Sequence, residues 1–104
     1  DSPIRGRGLD LPLLVKDFQL LKWTGANSVR TSHYPYAEEF YDFADRHGIL
    51  VIDEVFSINL DFRKVGPETL VLHKQAVAEL IARDRNRTCV IAWSLANEPG
   101  YLGE

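Results

Sequence analysis

The sequence predicts an α/β fold built on consecutive parallel strands, and three observations lead to this prediction. Segments with helical spacing of apolar residues alternate with short apolar runs typical of strands. The clearest strand candidate, residues 49–52, is continuously apolar, as is typical of a parallel strand covered on both faces. Polar residues follow each strand candidate directly. This order is found both in doubly wound sheets and in (β/α)8 barrels.

The first helix is predicted to begin after Asp10, with Pro12 in its first turn, and to end at Gly25. Its apolar residues recur at helical spacing and are Leu11, Leu14, Phe18 and Leu21. A short strand is expected next, near residues 27–31, because Pro35 prevents a longer one.

The second helix is predicted to end at Gly48, since glycine readily adopts the left-handed conformation that closes a helix. Its apolar stripe consists of Ala37, Phe40, Tyr41 and Ala44. The second strand follows at residues 49–52 and ends in Asp53 and Glu54.

A loop of irregular composition, about residues 55–68, separates this strand from the third helix. The residues that share one face of that helix are His73, Ala76, Val77, Leu80 and Ile81. The third strand is expected at residues 89–95, and Cys89 at its start is interpreted as a small buried apolar residue.

Composition excludes several classes of function. The formal charge is −3 and no run of Lys or Arg occurs, which argues against nucleic-acid and membrane partners. No apolar stretch approaches the length of about 20 residues that spans a bilayer. No glycine-rich loop follows a strand, so no nucleotide cofactor is expected, and the single cysteine has no metal-ligand companions.

Polar residues at the strand ends define the candidate site. In strand order they are Arg30, His33, Asp53, Glu54, Asn97 and Glu98. The carboxyl ends of parallel strands converge at one edge, which is where α/β folds bind ligands. Arg30 could instead form a structural ion pair with Asp53 or Glu54. At most one of those two acids faces the barrel axis, because neighbouring strand residues alternate, and the sequence does not indicate which.

Asn97 and Glu98 are the most informative pair in the sequence. They follow the apolar run 90–95, which places a carboxylate and an amide at the end of a buried strand. A barrel glycosidase uses such a carboxylate to protonate a leaving oxygen, and the amide to hold a sugar hydroxyl. We therefore expect the Glu98 carboxylate at the carboxyl edge, neither beneath the opposite edge nor turned into bulk water.

Three sequence blocks carry a family resemblance: residues 25–39, which contain Ser32-His33-Tyr34-Pro35; residues 45–54; and residues 93–99, Trp-Ser-Leu-Ala-Asn-Glu-Pro. Together they resemble glycoside hydrolase family 2, and among its members they are most similar to the β-glucuronidases. The resemblance implies a (β/α)8 catalytic domain in which this chain supplies three consecutive parallel strands, resembling the second to fourth, with their helices.

The resemblance also implies roles for individual residues in a retaining hydrolase. Glu98 is the general acid/base, Asn97 contacts the sugar 2-hydroxyl, and His33 lines the sugar pocket. Arg30 helps to position the nucleophile, and we include Asp53 with it as a supporting residue. No metal and no cofactor are implied, and the expected partner is a β-glucuronide or related glycoside.

The nucleophile of the family follows a later barrel strand, so residues 1–104 are expected to be an internal piece of a longer protein. The remaining strands, the flanking β-sandwich domains and the residues that grip a glucuronate carboxylate are expected outside it. The isolated piece is therefore predicted to be inactive. The complete protein could be homo-oligomeric, and its compartment is undecided between the cytoplasm, a lysosome and secretion.

Three alternatives stay open at this point. The specificity could be that of a β-galactosidase, which shares the Ser-His-Tyr-Pro core. The chain could be a non-catalytic sugar-binding or interaction module that has kept the fold. It could also be a self-contained doubly wound domain, in which case the sheet is flat and covered on both faces.

Overall fold

The computed structural model describes residue 4, residue 6 and residues 8–100 of the chain. The elements alternate as the sequence predicts, and in order they are α1 (Leu11–Trp23), β1 (Ser28–Arg30), α2 (Glu38–His47), β2 (Leu50–Glu54), α3 (Pro67–Asp84) and β3 (Val90–Ser94). Of the helices in this described part, none is long and apolar enough to cross a membrane.

The helix ends lie where local sequence signals predict them. The Asp10 side chain caps α1 by accepting a hydrogen bond from the Leu13 backbone N–H at 3.2 Å. Gly48 closes α2 in the left-handed conformation, with φ 68°, and its N–H donates to the Ala44 carbonyl. Because these signals depend only on neighbouring residues, they can be identified in the sequence without knowledge of tertiary contacts.

The three strands form one parallel sheet in the order β1, β2, β3. Arg30 pairs with Ile52, and Glu54 pairs with Ser94, so the strands end at nearly the same level. This register brings all three carboxyl ends to one edge of the sheet, as a consecutive parallel arrangement requires.

The core lies between the sheet and the helices α1 and α2. Phe18 of α1 packs against Phe40 of α2 with ring centroids 5.3 Å apart. The other buried members are Tyr41, Ala44, Ile49, Val51 and Cys89. Burial raises the pKa of the Cys89 thiol to about 12, which confirms its interpretation as a buried apolar residue.

The sheet is open, and this distinguishes a barrel segment from a covered doubly wound sheet. Leu50 of β2 is 41% exposed and Ile91 of β3 is 58% exposed. In the part of the chain that the structure describes, β1 and β3 each pair only with β2. The predicted partial barrel of three parallel strands is therefore confirmed. The stretch 1–8, which resembles the segment after the first barrel strand, lies largely outside the described residues.

We expect the 104-residue chain to associate when it is expressed alone, because unpaired strand edges and exposed apolar strand residues recruit further strands. Size-exclusion chromatography with light scattering should detect species larger than a monomer. As a control, lysine at both Leu50 and Ile91 should reduce the association. A monomer of the unsubstituted chain with one sharp unfolding transition would contradict this expectation.

Candidate active site

Glu54 is the centre of the polar cluster at the carboxyl edge. It ends β2, is fully buried, and receives donors on both carboxylate oxygens. His33 Nδ1 lies 3.1 Å from Oε1, and the Ser94 hydroxyl donates to Oε2 at 2.7 Å. The Arg30 Nε lies 3.3 Å from Oε2 and completes an ion pair. Three segments of the sheet edge thus meet at one carboxylate.

Arg30 connects this carboxylate to the end of β3. Its Nη2 donates to the Oδ1 of Asn97 at 3.3 Å, while its Nε faces Glu54. The structure therefore brings together four of the six residues that the sequence places at strand ends, namely Arg30, His33, Glu54 and Asn97.

The segment that carries Asn97 is also held by backbone hydrogen bonds to the loop after β2. The Asn97 N–H donates to the Ser57 carbonyl at 2.7 Å, and the Asn59 N–H donates to the Asn97 carbonyl at 3.0 Å. Further along, the Gly100 N–H donates to the Leu60 carbonyl at 3.0 Å. This role of the loop has no signal in the sequence, because backbone hydrogen bonds depend on the path of the chain and leave no pattern in the side chains.

Glu98 follows Asn97 directly, and its side chain is exposed. Its side chain forms no hydrogen bond or ion pair with another residue of the described range 8–100. Its backbone adopts a left-handed conformation with φ 45°, which is uncommon for a residue with a Cβ atom. Such conformations occur preferentially at functional sites, where the surrounding structure imposes them.

Asp53 lies on the opposite face of β2 from Glu54. The Tyr41 hydroxyl donates to its Oδ1 at 2.6 Å, and the Thr31 hydroxyl lies 3.3 Å from the same oxygen. Asp53 has no hydrogen bond or ion pair with Arg30 or His33 among the described residues. Among the described residues the ion-pair partner of Arg30 is therefore Glu54, whereas Asp53, which we expect to be a supporting residue, lies in a separate hydrogen-bond network.

A second buried acid explains the environment of Asp53. Asp84, at the end of α3, accepts hydrogen bonds from the Arg83 Nη2 at 2.6 Å and the Arg87 Nε at 3.1 Å. Burial raises the pKa of Asp53 to about 6, and the neighbouring Asp84 carboxylate adds to the increase. Asp53 thus belongs to a network between the sheet and the helices, behind the cluster around Glu54.

No three His, Cys, Asp or Glu side chains within residues 8–100 are grouped so as to hold a metal ion. The polar groups that the described residues bring to this edge are carboxylates, one guanidinium, one imidazole, one amide and the Ser94 hydroxyl. These groups can exchange protons and bind hydroxyls.

The fold is that of a known family of barrel domains. The sequence profile of the glycosyl hydrolases family 2, TIM barrel domain, matches residues 1–104, and the chain belongs to this family. Individual relatives are β-glucuronidases. That of Mus musculus is 54% identical over 100 residues, which are 95% of this chain and 15% of the mouse protein. That of Paenibacillus borealis is 52% identical over 108 residues, with 94% of this chain and 18% of the relative covered.

Solved structures agree with this assignment. The Bifidobacterium dentium β-glucuronidase in complex with coumarin-3-O-glucuronide superimposes with a TM-score of 0.92 at 48% identity, over 100% of this chain and 17% of that one. The Ruminococcus gnavus β-glucuronidase in complex with a C6-substituted uronic isofagomine superimposes with a TM-score of 0.90 at 52% identity. This match covers 95% of this chain and 17% of that one. The chain thus spans less than one fifth of the length of these relatives.

We expect Asp53→Asn to change the pH dependence of stability in the complete protein that carries this chain. The folded pKa of about 6 exceeds the unfolded value of about 3.9, so stability that is present below pH 4 is lost as the pH rises through 6. Asparagine cannot ionise and still accepts the Tyr41 hydroxyl.

The melting temperature of the variant relative to the wild type should therefore increase between pH 4 and pH 7. Calorimetry across this range measures the difference. Asp17→Asn, at an exposed position of α1, serves as the matched control and should give a flat difference. A flat difference for Asp53→Asn as well would contradict the raised pKa.

Proposed function

We propose that residues 1–104 form part of the catalytic barrel of a retaining β-glycosidase that hydrolyses β-D-glucuronides. In this proposal the chain carries the general acid/base, Glu98, and the nucleophile belongs to a barrel strand outside residues 1–104. The isolated chain is then inactive, because the covalent route requires both carboxylates.

One observation carries the proposal: Arg30 bridges the buried Glu54 carboxylate and the Asn97 amide, at the edge where Asn97-Glu98 leaves β3. In α/β barrels this edge supports catalysis, while the opposite edge supports stability. If the Arg30–Glu54 ion pair were purely structural, it would not require a hydrogen bond to the partly exposed Asn97 amide. The arrangement is instead suited to orient a group that contacts a ligand.

The proposed chemistry assigns two tasks to Glu98. As an acid it protonates the leaving oxygen while the nucleophile, whose carboxyl group lies about 5 Å from that of Glu98, attacks the anomeric carbon from the opposite face of the sugar. As a base it then removes a proton from the water that releases the sugar. Glu98 is exposed in this chain, so the expectation that its carboxylate is kept from bulk water is not met within residues 8–100, and our proposal assigns the enclosing contacts to barrel strands outside residues 1–104.

Two further residues complete this half of the site in our proposal. Asn97 binds the sugar 2-hydroxyl, whose hydrogen bonds strengthen in the transition state. His33 lines the sugar pocket, with its Nδ1 facing Glu54 and its other nitrogen left for a hydroxyl. The assignment of glucuronides rests on the relatives, which are β-glucuronidases, one of them solved with coumarin-3-O-glucuronide.

Glu98→Gln in the complete protein should lower kcat/KM on an alkyl β-glucuronide by about 10² to 10⁴-fold, the range for loss of a general acid. The loss should be smaller on the dinitrophenyl glucuronide, since that leaving group departs without protonation. Glu39→Gln, an exposed acid on α2, is the matched control and should behave as the wild type.

Azide provides the decisive arm of this experiment. Azide attacks the anomeric carbon of the sugar-enzyme intermediate without base assistance, and the enzyme carboxylate departs. With the dinitrophenyl substrate, azide should accelerate the Glu98→Gln variant and give the β-glucuronosyl azide. Unchanged activity of the variant would contradict an acid/base role and favour the non-catalytic alternative.

Substrate preference needs a separate measurement. The complete protein should hydrolyse nitrophenyl β-glucuronide with a kcat/KM at least about 100-fold above that for nitrophenyl β-galactoside, because the uronate carboxylate adds a charge-assisted contact in the former. Initial rates on the two substrates at equal concentration test this. A preference for the galactoside would contradict the substrate assignment while leaving the role of Glu98 intact.

A further inference from the structure

The burial of Glu54 needs a functional explanation. Its side chain is 0% exposed, although moving a carboxylate out of water costs several kcal/mol. Each oxygen is matched by donors, His33 on Oε1 and Arg30 with Ser94 on Oε2. Its backbone N–H donates to the Thr31 hydroxyl at 2.8 Å, which fixes the end of β2 as well. A carboxylate held this firmly has a defined position at the sheet edge.

The fixed position of the Glu54 carboxylate determines the orientation of the Arg30 side chain. Its side chain is 48% exposed and long, so its guanidinium has many accessible orientations. The polar partners of its side chain among the described residues are Glu54 and Asn97. The Nε contact with Glu54 selects the orientation in which Nη2 faces Asn97. Without Glu54, the hydrogen bond to Asn97 would have to order the guanidinium alone.

We propose that Glu54 is a positioning residue that, through Arg30, fixes the side-chain amide of Asn97 for the sugar 2-hydroxyl. This inference rests on the proposed function and adds to it a residue outside the reacting groups. The Arg30 donor takes one of the two acceptor positions of Asn97 Oδ1 and so orients the amide. In this proposal the Nδ2 hydrogens of the oriented amide donate to the 2-hydroxyl oxygen.

Glutamine at position 54 tests this chain of contacts. A glutamine amide can accept on one atom only, so it cannot match the donors on both sides. In the complete protein, Glu54→Gln should reduce kcat/KM on an aryl β-glucuronide by about 100-fold, a typical result of misplacing a binding group. Glu39→Gln is again the control, since its carboxylate is exposed on α2.

The 2-deoxy substrate separates positioning from general damage. Because it lacks the hydroxyl that Asn97 binds, the loss caused by Glu54→Gln should be at least about tenfold smaller on the aryl 2-deoxy-β-glucuronide. In an Asn97→Ala background, Glu54→Gln should likewise cost far less than in the wild type. Equal losses on both substrates, or additive losses with Asn97→Ala, would overturn the proposal.

Ser94→Ala keeps the proposal testable if Glu54→Gln does not fold. It removes the hydroxyl that donates to Glu54 at 2.7 Å and leaves every charge in place. It should cost several-fold on the glucuronide and less on the 2-deoxy substrate. If both variants are as active as the wild type while Glu98→Gln is impaired, Glu54 has no positioning role and the proposed function still stands.

Discussion

The ion pair between Arg30 and Glu54 is the interaction on which the carboxyl edge of the sheet depends. It links the ends of β1 and β2, and the Arg30 hydrogen bond to Asn97 extends the link to the segment after β3. The parallel register makes this possible, because it brings three strand ends to one level. Since Glu54 is buried, loss of those donors would leave its carboxylate oxygens without hydrogen-bond partners.

The same strand end supports two polar networks with separate purposes. Alternation along β2 directs Glu54 toward the candidate site and Asp53 toward the helices. The Thr31 hydroxyl lies between them, 2.8 Å from the Glu54 backbone nitrogen and 3.3 Å from an Asp53 oxygen. The network around Asp53 reaches Asp84 at the end of α3. Thr31 therefore contacts both the residue at the centre of the site edge and the network that joins the sheet to the helices.

Local sequence signals were sufficient to predict the helices and strands and the polar residues at the carboxyl edge of the sheet. They were not sufficient to predict which of those residues contact one another. The helix ends at Asp10 and Gly48 follow from neighbouring residues, and the strand order follows from alternation. Which of Asp53 and Glu54 faces the site could not be predicted in this way. Val51 and Ile52 are both apolar, so the pattern does not show which face of β2 is directed toward the helices. Family resemblance supplied the interpretation of Glu98, and its role remains a proposal.

The loop after β2 holds the Asn97 segment entirely by backbone atoms, through a parallel bridge between Ile58 and Asn97. Main-chain contacts of this kind are indifferent to side-chain identity. The exposed side chains of Phe56 and Ile58, 65% and 38% exposed, can therefore be substituted without removing the backbone hydrogen bonds that hold the Asn97 segment. Side chains of the loop after β2 can therefore vary while the main chain that holds the Asn97 segment keeps its position.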